Sequence, residues 1–323
     1  MASGKKIILL TPRGFCAGVV RAIDVVKIAL EMYGAPLYVR KEIVHNRHVV
    51  DELRTLGAIF VEELEEVPQG ARVIFSAHGV SPAVRAEAVE RKLQVIDATC
   101  PLVTKVHLEA IKFARKGYSI VLIGHNNHDE VIGTLGEAPE SMKLVSDVSE
   151  VDKLNVPDES KMAYLTQTTL SLDETSAIVA KLKERFPLIQ GPHSQDICYA
   201  TENRQVAVKA VAPLCDLLLV VGSKNSSNSQ RLVEVCQNSG VPAYLVDDES
   251  DVQTSWLNGV SIVAITAGAS APEHLVERII SFLNANGYGD LEELEVKEED
   301  VRFQLPPELN VARLTQIVTP AAV

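Results

Sequence analysis

The sequence contains no long apolar run. No segment of its 323 residues approaches the roughly 20 apolar residues that a membrane-spanning helix needs. Near the N-terminus the apolar residues extend only over 7–10 and lead directly to Pro12 and Gly14, which is not the pattern of a signal peptide. We therefore expect a cytoplasmic protein that does not associate with membranes.

Positive charge is also scarce. The chain has 31 Lys and Arg residues against 43 Asp and Glu residues, a net charge of −12, and its cations are scattered along the sequence. Nucleic acids are bound by clusters of Lys and Arg, because such clusters neutralise phosphate groups. We therefore expect no nucleic acid among the partners of this protein.

Several familiar cofactor motifs are missing. No Gly-x-Gly-x-x-Gly motif follows a predicted strand, so we expect no bound NAD, and there is no Walker A loop for nucleotide phosphates. The five cysteines are too far apart for the cysteine run of a ferredoxin or the CxxC pairs of a structural zinc site. Their odd number and wide spacing also argue against a disulfide framework.

What the sequence does contain is a threefold internal repeat. Three cysteines, Cys16, Cys100 and Cys198, lie 84 and 98 residues apart. Each is followed by a segment of helical character and then by an apolar segment typical of a buried strand. The helices are predicted at 21–33, 103–115 and 204–212, and the strands at 36–39, 119–123 and 217–221.

Each repeat unit also contains two polar turns, one after each of two strands. The first turns include residues 45–48, 124–130 and 222–229, and the second turns span 76–82, 166–171 and 266–272. Strands that alternate with helices predict parallel sheets, and ligands bind such sheets at the carboxyl ends of the strands. We expect an α/β protein of three similar units around a pseudo-threefold axis, with the cysteines and polar turns meeting at its centre.

The repeat also predicts the division of the chain, of which 46% is hydrophobic, into three domains. The first unit is predicted at 1–98, the second at 99–196 and the third at 197–287. Residues 288–323 lie beyond the repeat, and we expect a C-terminal strand and tail there. Because residues 291–300 are strongly acidic, the strand is predicted within 301–323.

The three repeated cysteines are candidate metal ligands. Thiolates are soft ligands, and three of them can hold a four-iron cluster while leaving one iron open for catalysis. The alternative is that all three are ordinary buried cysteines. Their matching positions beside Gly, Pro and Thr favour the ligand interpretation. Cys215 and Cys236 have no counterpart in the other units, so we interpret both as core residues.

Two of the polar turns suggest chemistry of their own. Residues 125–130 lack the HExxH spacing of a zinc protease, and we interpret Glu130 as a proton donor beside a substrate-binding His128. Residues 223–229 are rich in Ser and Asn and open a predicted helix, an arrangement that binds phosphate through backbone N–H groups. The alternatives are a solvated loop for the first turn and an ordinary helix cap for the second.

Eight segments carry a resemblance to a known family. They are PRGFCAGV (12–19), VHNR (44–47), SAHGVS (76–81), DATCPLV (97–103), TQTTLS (166–171), DICYAT (196–201), GSKNSSNS (222–229) and TAGASAP (266–272). In this order, over about residues 6–285, the sequence resembles the 4-hydroxy-3-methylbut-2-enyl diphosphate reductase family. The resemblance implies a three-lobed α/β fold around one 4Fe–4S cluster per chain, which Cys16, Cys100 and Cys198 hold with one iron left open.

The same resemblance implies a reaction and the residues for it. The substrate loses its hydroxyl group on two-electron reduction and gives isopentenyl and dimethylallyl diphosphates, in the last step of the non-mevalonate isoprenoid pathway. Glu130 matches the proton donor, and the substrate-binding positions are matched by His45, His78, His128, Thr168, Ser226, Ser227, Asn228 and Ser270. The electrons are expected from an external one-electron carrier of the flavodoxin or ferredoxin type.

One position departs from the family pattern. Asp129 stands where the family usually has proline, and a second carboxylate beside Glu130 is expected to raise the pKa of one of the two by like-charge repulsion. Two other functions stay open as alternatives. One is a zinc hydrolase that uses His125, His128 and Glu130, and the other is a non-enzymatic iron–sulfur sensor or anion-binding protein.

Overall fold

A computed structural model describes residues 4–309. The strands are β1 (Lys5–Thr11), β2 (Leu37–Arg40), β3 (Ala58–Val61), β4 (Arg72–Phe75), β5 (Gln94–Asp97), β6 (Ser119–Ile123), β7 (Met142–Val145), β8 (Met162–Thr166), β9 (Leu217–Val221), β10 (Ala243–Val246), β11 (Ile262–Ala267) and β12 (Tyr288–Glu295). The helices are α1 (Ala17–Tyr33), α2 (Arg47–Thr55), α3 (Pro82–Glu90), α4 (Pro101–Arg115), α5 (Asp129–Glu137), α6 (Val148–Val151), α7 (Leu172–Arg185), α8 (Tyr199–Val211), α9 (Ser227–Asn238) and α10 (Glu273–Ala285). Across residues 4–309, none of these helices combines the length and the apolar character that crossing a bilayer requires.

The strands form three separate sheets. A five-stranded sheet has the order β10-β9-β11-β1-β12, a four-stranded sheet the order β3-β2-β4-β5, and a three-stranded sheet the order β7-β6-β8. All of these strand pairs are parallel, so the predicted α/β class with parallel sheets is confirmed. β1 precedes the first repeated cysteine but pairs with β11, in the sheet that follows the third. The domain boundaries at 98, 196 and 287 stay a prediction.

The sheets are buried on both faces. Along β1, Ile7 and Leu9 enter one hydrophobic core while Ile8 and Leu10 enter another, because successive side chains of a strand point to opposite faces. The same alternation along β6 divides its side chains between two further cores. Covered faces are typical of parallel sheets and leave the loops at the carboxyl ends of the strands to form a binding site.

Each repeated cysteine is the residue that precedes a helix. Cys16, Cys100 and Cys198 occupy the N-cap positions of α1, α4 and α8, so the helices begin a few residues earlier than predicted. Pro101 suits the first position of α4 because its fixed φ is already helical and its missing N–H needs no partner there. The partial positive charge of a helix N-terminus stabilises a thiolate.

The C-terminal strand lies earlier in the chain than predicted. β12 covers the first part of the acidic segment, whereas residues 301–306 have no regular structure and residues 310–323 lie outside the described residues. β12 tolerates its carboxylates because it is at the edge of a sheet, where most of its side chains are exposed and Glu292 forms an ion pair with Lys6. Phe303, in the later segment, lines an internal cavity instead of forming a strand.

Two buried arginines hold residues 296–309, which we call the C-terminal strap. The guanidinium of Arg204 is fully buried and contacts Glu299 Oε1 at 3.1 Å while donating a hydrogen bond to the Gly14 carbonyl at 2.8 Å. Arg21 Nε donates to the carbonyl of Gln304 at 2.7 Å. Because these partners belong to different parts of the chain, the two arginines fasten the strap to the rest of the protein.

Replacing Arg204 with methionine is expected to lower the free energy of unfolding by about 3–5 kcal/mol, because Glu299 would keep its charge in a partly buried place and lose its cation, with the Asn203 amide as its remaining hydrogen-bond donor. Urea denaturation of the purified variant measures this loss. The matched control is Lys27→Met, which breaks the exposed ion pair with Glu52 and should cost less than about 1 kcal/mol. Equal losses in the two variants would contradict the assignment of Arg204 as an anchor.

Candidate active site

One cavity is lined by residues that follow strands of all three sheets. It contains every side chain that the family resemblance singles out as a ligand, a substrate contact or a proton donor. These residues are Cys16, His45, His78, Cys100, His128, Glu130, Thr168, Cys198, Ser226, Ser227, Asn228 and Ser270. The expected convergence on one centre is therefore observed, while the individual roles of these residues stay predictions.

The three repeat units are joined in a ring at the cysteines. The backbone N–H of each cysteine donates to a carbonyl in the second polar turn of the preceding unit, and the first unit is joined to the third in the same way. The pairs are Cys100–Ala77 and Cys198–Thr168, both at 3.0 Å, and Cys16–Ala269 at 3.1 Å. Three equivalent bonds that close a cycle are what a pseudo-threefold arrangement requires, and they bring the three thiols to one end of the cavity.

The thiols of this ring are crowded and desolvated. A methyl group on Gly18 would lie 2.8 Å from Cys100 Sγ and 3.8 Å from Cys16 Sγ, so the glycine is needed for the approach of the sulfurs. Burial, followed by the charge of Cys16, raises the pKa of Cys198 to about 11. Burial likewise raises the pKa of Cys100 to about 12. Without a cation to bind, both side chains are therefore neutral thiols at physiological pH.

The three sulfurs are not arranged around one metal ion in this structure. Ligands of one tetrahedral metal ion lie about 4 Å apart, because zinc–sulfur bonds are about 2.3 Å long. Within residues 4–309, the three sulfurs are not among the sets of ligand atoms that all lie within 4.8 Å of one another. The three thiols are soft ligands, of the kind that iron–sulfur clusters and zinc both use.

Glu130 is the buried carboxyl group of the cavity. Its side chain is tied to Thr168, whose backbone N–H donates to Oε1 at 2.7 Å and whose hydroxyl donates to Oε2 at 2.9 Å. Burial raises the pKa of Glu130 to about 7, and this effect outweighs the two hydrogen bonds, which act in the opposite direction. Near neutral pH the group is therefore poised between its acid and its base form, as a proton donor requires.

The prediction that repulsion between Asp129 and Glu130 raises the pKa of one of these carboxyl groups is wrong. The carboxylate that adds like-charge repulsion to Glu130 is Asp196, which is distant in sequence. Burial raises the pKa of Glu130 more than this repulsion does. The reason is geometric, since Asp129 and Glu130 are consecutive residues in the first turn of α5 and project in directions about 100° apart. Glu130 is buried, whereas Asp129 is partly exposed.

Three histidines lie against one another beside this carboxyl group. The rings of His45 and His78 stack with their centroids 3.9 Å apart, and His128 meets them edge-on at 5.4 and 6.0 Å. Burial, followed by the charges of neighbouring histidines, lowers the pKa of His128 to about 3 and that of His78 well below its usual range. His128 Nδ1 accepts the backbone N–H of Glu130 at 3.2 Å, so the neutral ring carries its proton on Nε2.

The zinc-hydrolase alternative is not favoured by this arrangement. His125 lines a different, smaller cavity with Gly124 and Ser146, away from the thiols. Among residues 4–309, the one set of metal-binding atoms within 4.8 Å of one another comes from His45, His78 and Asp129. The rings of those two histidines are only 19° from parallel, so their in-plane lone pairs run side by side and do not meet at one ion.

The Ser/Asn turn presents the N-terminus of α9 to the cavity. Ser226 is the N-cap residue, and its hydroxyl accepts the backbone N–H of Ser229 at 3.3 Å. Asn228 is held from both sides, because its amide donates to Thr201 and its carbonyl oxygen accepts the N–H of Ala269 at 2.9 Å. Free N–H groups of a helix N-terminus, together with hydroxyl and amide side chains, suit a phosphate group.

The cavity also contains residues that the sequence did not reveal. Phe303 enters it from the C-terminal strap, and Tyr199 lines it while its hydroxyl accepts the N–H of Ala17 at 3.1 Å. Tyr199 directly follows Cys198, and that adjacency was a usable signal. Phe303 lies beyond the repeat and belongs to no periodic pattern, so only the path of the strap reveals its position.

The fold and the cavity define the class, an α/β protein of three repeated units around a centre lined with cysteine, histidine and hydroxyl side chains. The sequence profile of the LytB protein family matches residues 7–284. The chain belongs to this family, and the resemblance drawn from the eight motifs is confirmed.

Several relatives are similar along almost their whole length. The protein of Rhodococcus jostii named 4-hydroxy-3-methylbut-2-enyl diphosphate reductase is 58% identical over 310 residues, which cover 96% of this chain and 92% of the relative. The protein of the same name from Nocardia farcinica is 57% identical over 312 residues, which cover 96% of this chain and 93% of the relative. The solved structure of the E-1-hydroxy-2-methyl-but-2-enyl-4-diphosphate reductase from Plasmodium falciparum superimposes with a TM-score of 0.95 at 43% identity, over 97% of this chain and 99% of that one. A second structure is that of an (E)-4-hydroxy-3-methyl-but-2-enyl diphosphate reductase, described as the terminal enzyme of the non-mevalonate pathway. It superimposes with a TM-score of 0.61 at 32% identity, over 87% of this chain and 99% of that one.

Proposed function

We propose that this chain is an oxidoreductase that converts 4-hydroxy-3-methylbut-2-enyl diphosphate to isopentenyl and dimethylallyl diphosphates, in the last step of the non-mevalonate pathway. The observation that carries the proposal is the meeting of three thiols, a buried carboxyl group and a set of neutral hydrogen-bond donors in one cavity. In the reaction, two electrons and two protons enter, the carbon–oxygen bond to the hydroxyl breaks, a carbon–hydrogen bond forms, and water leaves.

The cofactor of the proposal is one 4Fe–4S cluster per chain, held by Cys16, Cys100 and Cys198. The donor set supports it, because three soft thiol ligands line one cavity, beside a glycine that leaves room for the sulfurs. When bound, such a cluster supplies electrons one at a time and offers one iron that no cysteine occupies. The helix N-termini that follow the cysteines would stabilise them as thiolates.

The diphosphate is proposed to lie between the histidines and the N-terminus of α9. The donors for it would come from His45, His78, His128, Ser226, Ser227, Asn228 and Ser270. Because burial lowers the pKa of His78 and of His128, these two rings are neutral, and together with the hydroxyl groups they bind an anion through directed hydrogen bonds even in a protein of net charge −12. A diphosphate beside His128 would also oppose the burial that lowers the pKa of this ring, so substrate binding favours uptake of a proton there.

Glu130 is proposed to deliver the proton to the departing hydroxyl group, with Thr168 positioning both partners. Thr168 holds the carboxyl group through its backbone N–H and its hydroxyl, and it lines the same cavity as the thiols. A pKa of about 7 leaves a substantial fraction of Glu130 protonated at neutral pH, whereas an exposed carboxyl group would already be ionised.

The source of the electrons is proposed to be an external carrier of the flavodoxin or ferredoxin type, in the cytoplasm. The sequence has no dinucleotide-binding motif that would let the chain draw on NAD directly. We further propose that the repeat units 1–98, 99–196 and 197–287 act as three lobes around the cavity, with 288–323 as a C-terminal extension.

The proposed reaction is tested with anaerobically reconstituted protein. Iron and sulfide analysis is expected to give a brown protein with about four irons per chain, and reduced methyl viologen is expected to drive formation of both C5 diphosphates, measured by mass spectrometry. A colourless zinc protein would support the hydrolase alternative. A brown protein whose spectrum does not respond to the allylic diphosphate would support a sensor.

Replacing Gly18 with alanine is expected to lower the retention of iron by about tenfold or more, because the new methyl group would displace the Cys100 side chain. Iron and sulfide remaining after incubation with a chelator measure the effect. Gly289→Ala, which adds the same methyl group in open space on β12, is the matched control and should behave like the wild type. Equal retention in the two variants would argue against a cluster beside Gly18.

A further inference from the structure

One face of α4 forms a shallow groove at the surface beside Cys100. We call it the α4 groove, and it is lined by Arg21, Thr99, Pro101, Thr104, Lys105, Leu108, Glu109 and Lys112. Among the α4 residues of the lining, Thr104, Leu108 and Lys112 are four positions apart, so they lie along one side of the helix. The exposed fraction of Leu108, in the middle of this side, is 60%, so an apolar side chain is open to a partner here.

The groove is the outer side of the wall that carries Cys100. Thr99 and Pro101 are the two chain neighbours of Cys100, and both line the groove while Cys100 itself lines the internal cavity. Arg21 fastens this wall, because its Nη1 donates to the carbonyls of Ala98 and Thr99, both at 3.0 Å. Cys100 and its two chain neighbours therefore lie between a molecule bound in the groove and the proposed cluster.

The charge of this helix is opposite to that of the protein. α4 and the residue after it contain Lys105, Lys112, Arg115 and Lys116 against one carboxylate, Glu109, in a chain of net charge −12. Lys105 is engaged with Asp196 at 2.9 Å. The other three cations are exposed, and none of them forms an ion pair with another residue of 4–309.

We propose that the α4 groove is the docking surface for a small acidic one-electron carrier, with the exposed cations at its rim and Leu108 at its centre. This inference rests on the proposed function. Each turnover needs two electrons, so two reduced carriers must dock in turn, each losing one electron to the cofactor held by the cysteines. Electron-transfer complexes bury less than about 1,200 Å² and are guided by complementary charge, so a groove of one helix face is sufficient.

The experiment compares two reductants on anaerobic holoenzyme. Reduced plant-type ferredoxin, a small acidic [2Fe–2S] protein, reports on docking, whereas reduced methyl viologen needs no docking surface. Lys112→Glu is expected to raise the KM for ferredoxin about tenfold, because a cation that steers the carrier becomes a repelling charge, and to leave the rate with methyl viologen unchanged. Lys183→Glu makes the same exchange at an exposed position of α7 and should leave both values unchanged.

A second variant and a second measurement keep the docking surface testable by itself. Leu108→Glu places a charge at the centre of the groove and should weaken the binding of oxidised ferredoxin to holoenzyme at least as much as Lys112→Glu does. Calorimetry without substrate measures this binding independently of turnover. Equal affinity for ferredoxin in wild type, Lys112→Glu and Leu108→Glu would overturn the docking surface. Failure of wild-type enzyme to convert the substrate with methyl viologen would instead count against the proposed function, and the binding measurement would still decide the surface.

Discussion

Replacing Glu130 with glutamine is expected to lower kcat by about a hundredfold or more while leaving the content of iron and sulfide unchanged. Glutamine has the shape of glutamate and can keep both contacts with Thr168, since its oxygen still accepts the backbone N–H and its amide can donate to the hydroxyl. What it lacks is an acidic proton. Steady-state kinetics with reduced methyl viologen measure the loss.

The pH dependence separates a proton donor from a merely structural residue. The pKa of Glu130 is raised to about 7, so its protonated fraction falls as the pH rises through that value, and wild-type kcat/KM should fall with it. The Glu130→Gln variant should lack this decline. Asp129→Asn, which removes the neighbouring carboxylate, is the control and should keep it. Near-normal turnover of Glu130→Gln would remove Glu130 from the role of proton donor.

Replacing Cys198 with serine is expected to abolish cluster binding and to lower turnover by more than about a hundredfold. Loss of a group that only supports a metal ligand costs about ten- to a hundredfold, and Cys198 is proposed to be a ligand itself. Serine occupies the same N-cap position and can still accept the N–H of Thr201, so the fold of α8 should persist. Iron and sulfide analysis, together with the visible spectrum, measures the loss.

Cys215→Ser provides the matched control for the cysteine variant. Cys215 is partly buried and packs against a hydrophobic core, with Cys236 fully buried in the same core, as expected for cysteines outside the repeat. The Cys215 variant should therefore keep its iron and its activity. If it lost as much iron as Cys198→Ser, the assignment of ligands to the three repeated cysteines would be wrong.

Much of this molecule follows from a repeat that is visible in the sequence. A repeated pattern of cysteine, helix, strand and polar turn folds in the same way each time, so Cys16, Cys100 and Cys198 reach equivalent positions before α1, α4 and α8. Parallel strands then place their turns at equivalent ends of the sheets. This local logic is sufficient to predict the α/β class and the meeting of the cysteines and polar turns at one cavity.

Pairing between distant segments could not be predicted in the same way. β1 lies in the first repeat unit but joins the sheet of β9 and β11, and β12 completes the edge of that sheet beside β1. The choice depends on which surfaces remain to be covered when the chain is compact, and an isolated strand pattern contains no such information. The acidic character of β12 pointed away from a strand. β12 nevertheless forms one, because most of its side chains stay exposed at the edge of the sheet and their charges are not buried.

The sequence by itself determined that the repeated cysteines and the polar turns meet in the cavity, because chain direction and repeat length place them at the ends of equivalent strands. Only the tertiary structure decided their chemical state. The pKa of Glu130 depends on burial, on Thr168 and on Asp196, and its sequence neighbour Asp129 contributes little because it points elsewhere. The proton position on His128 and the surface beside Cys100 were decided in the same way, since desolvation and contact are properties of atoms brought together from distant parts of the chain.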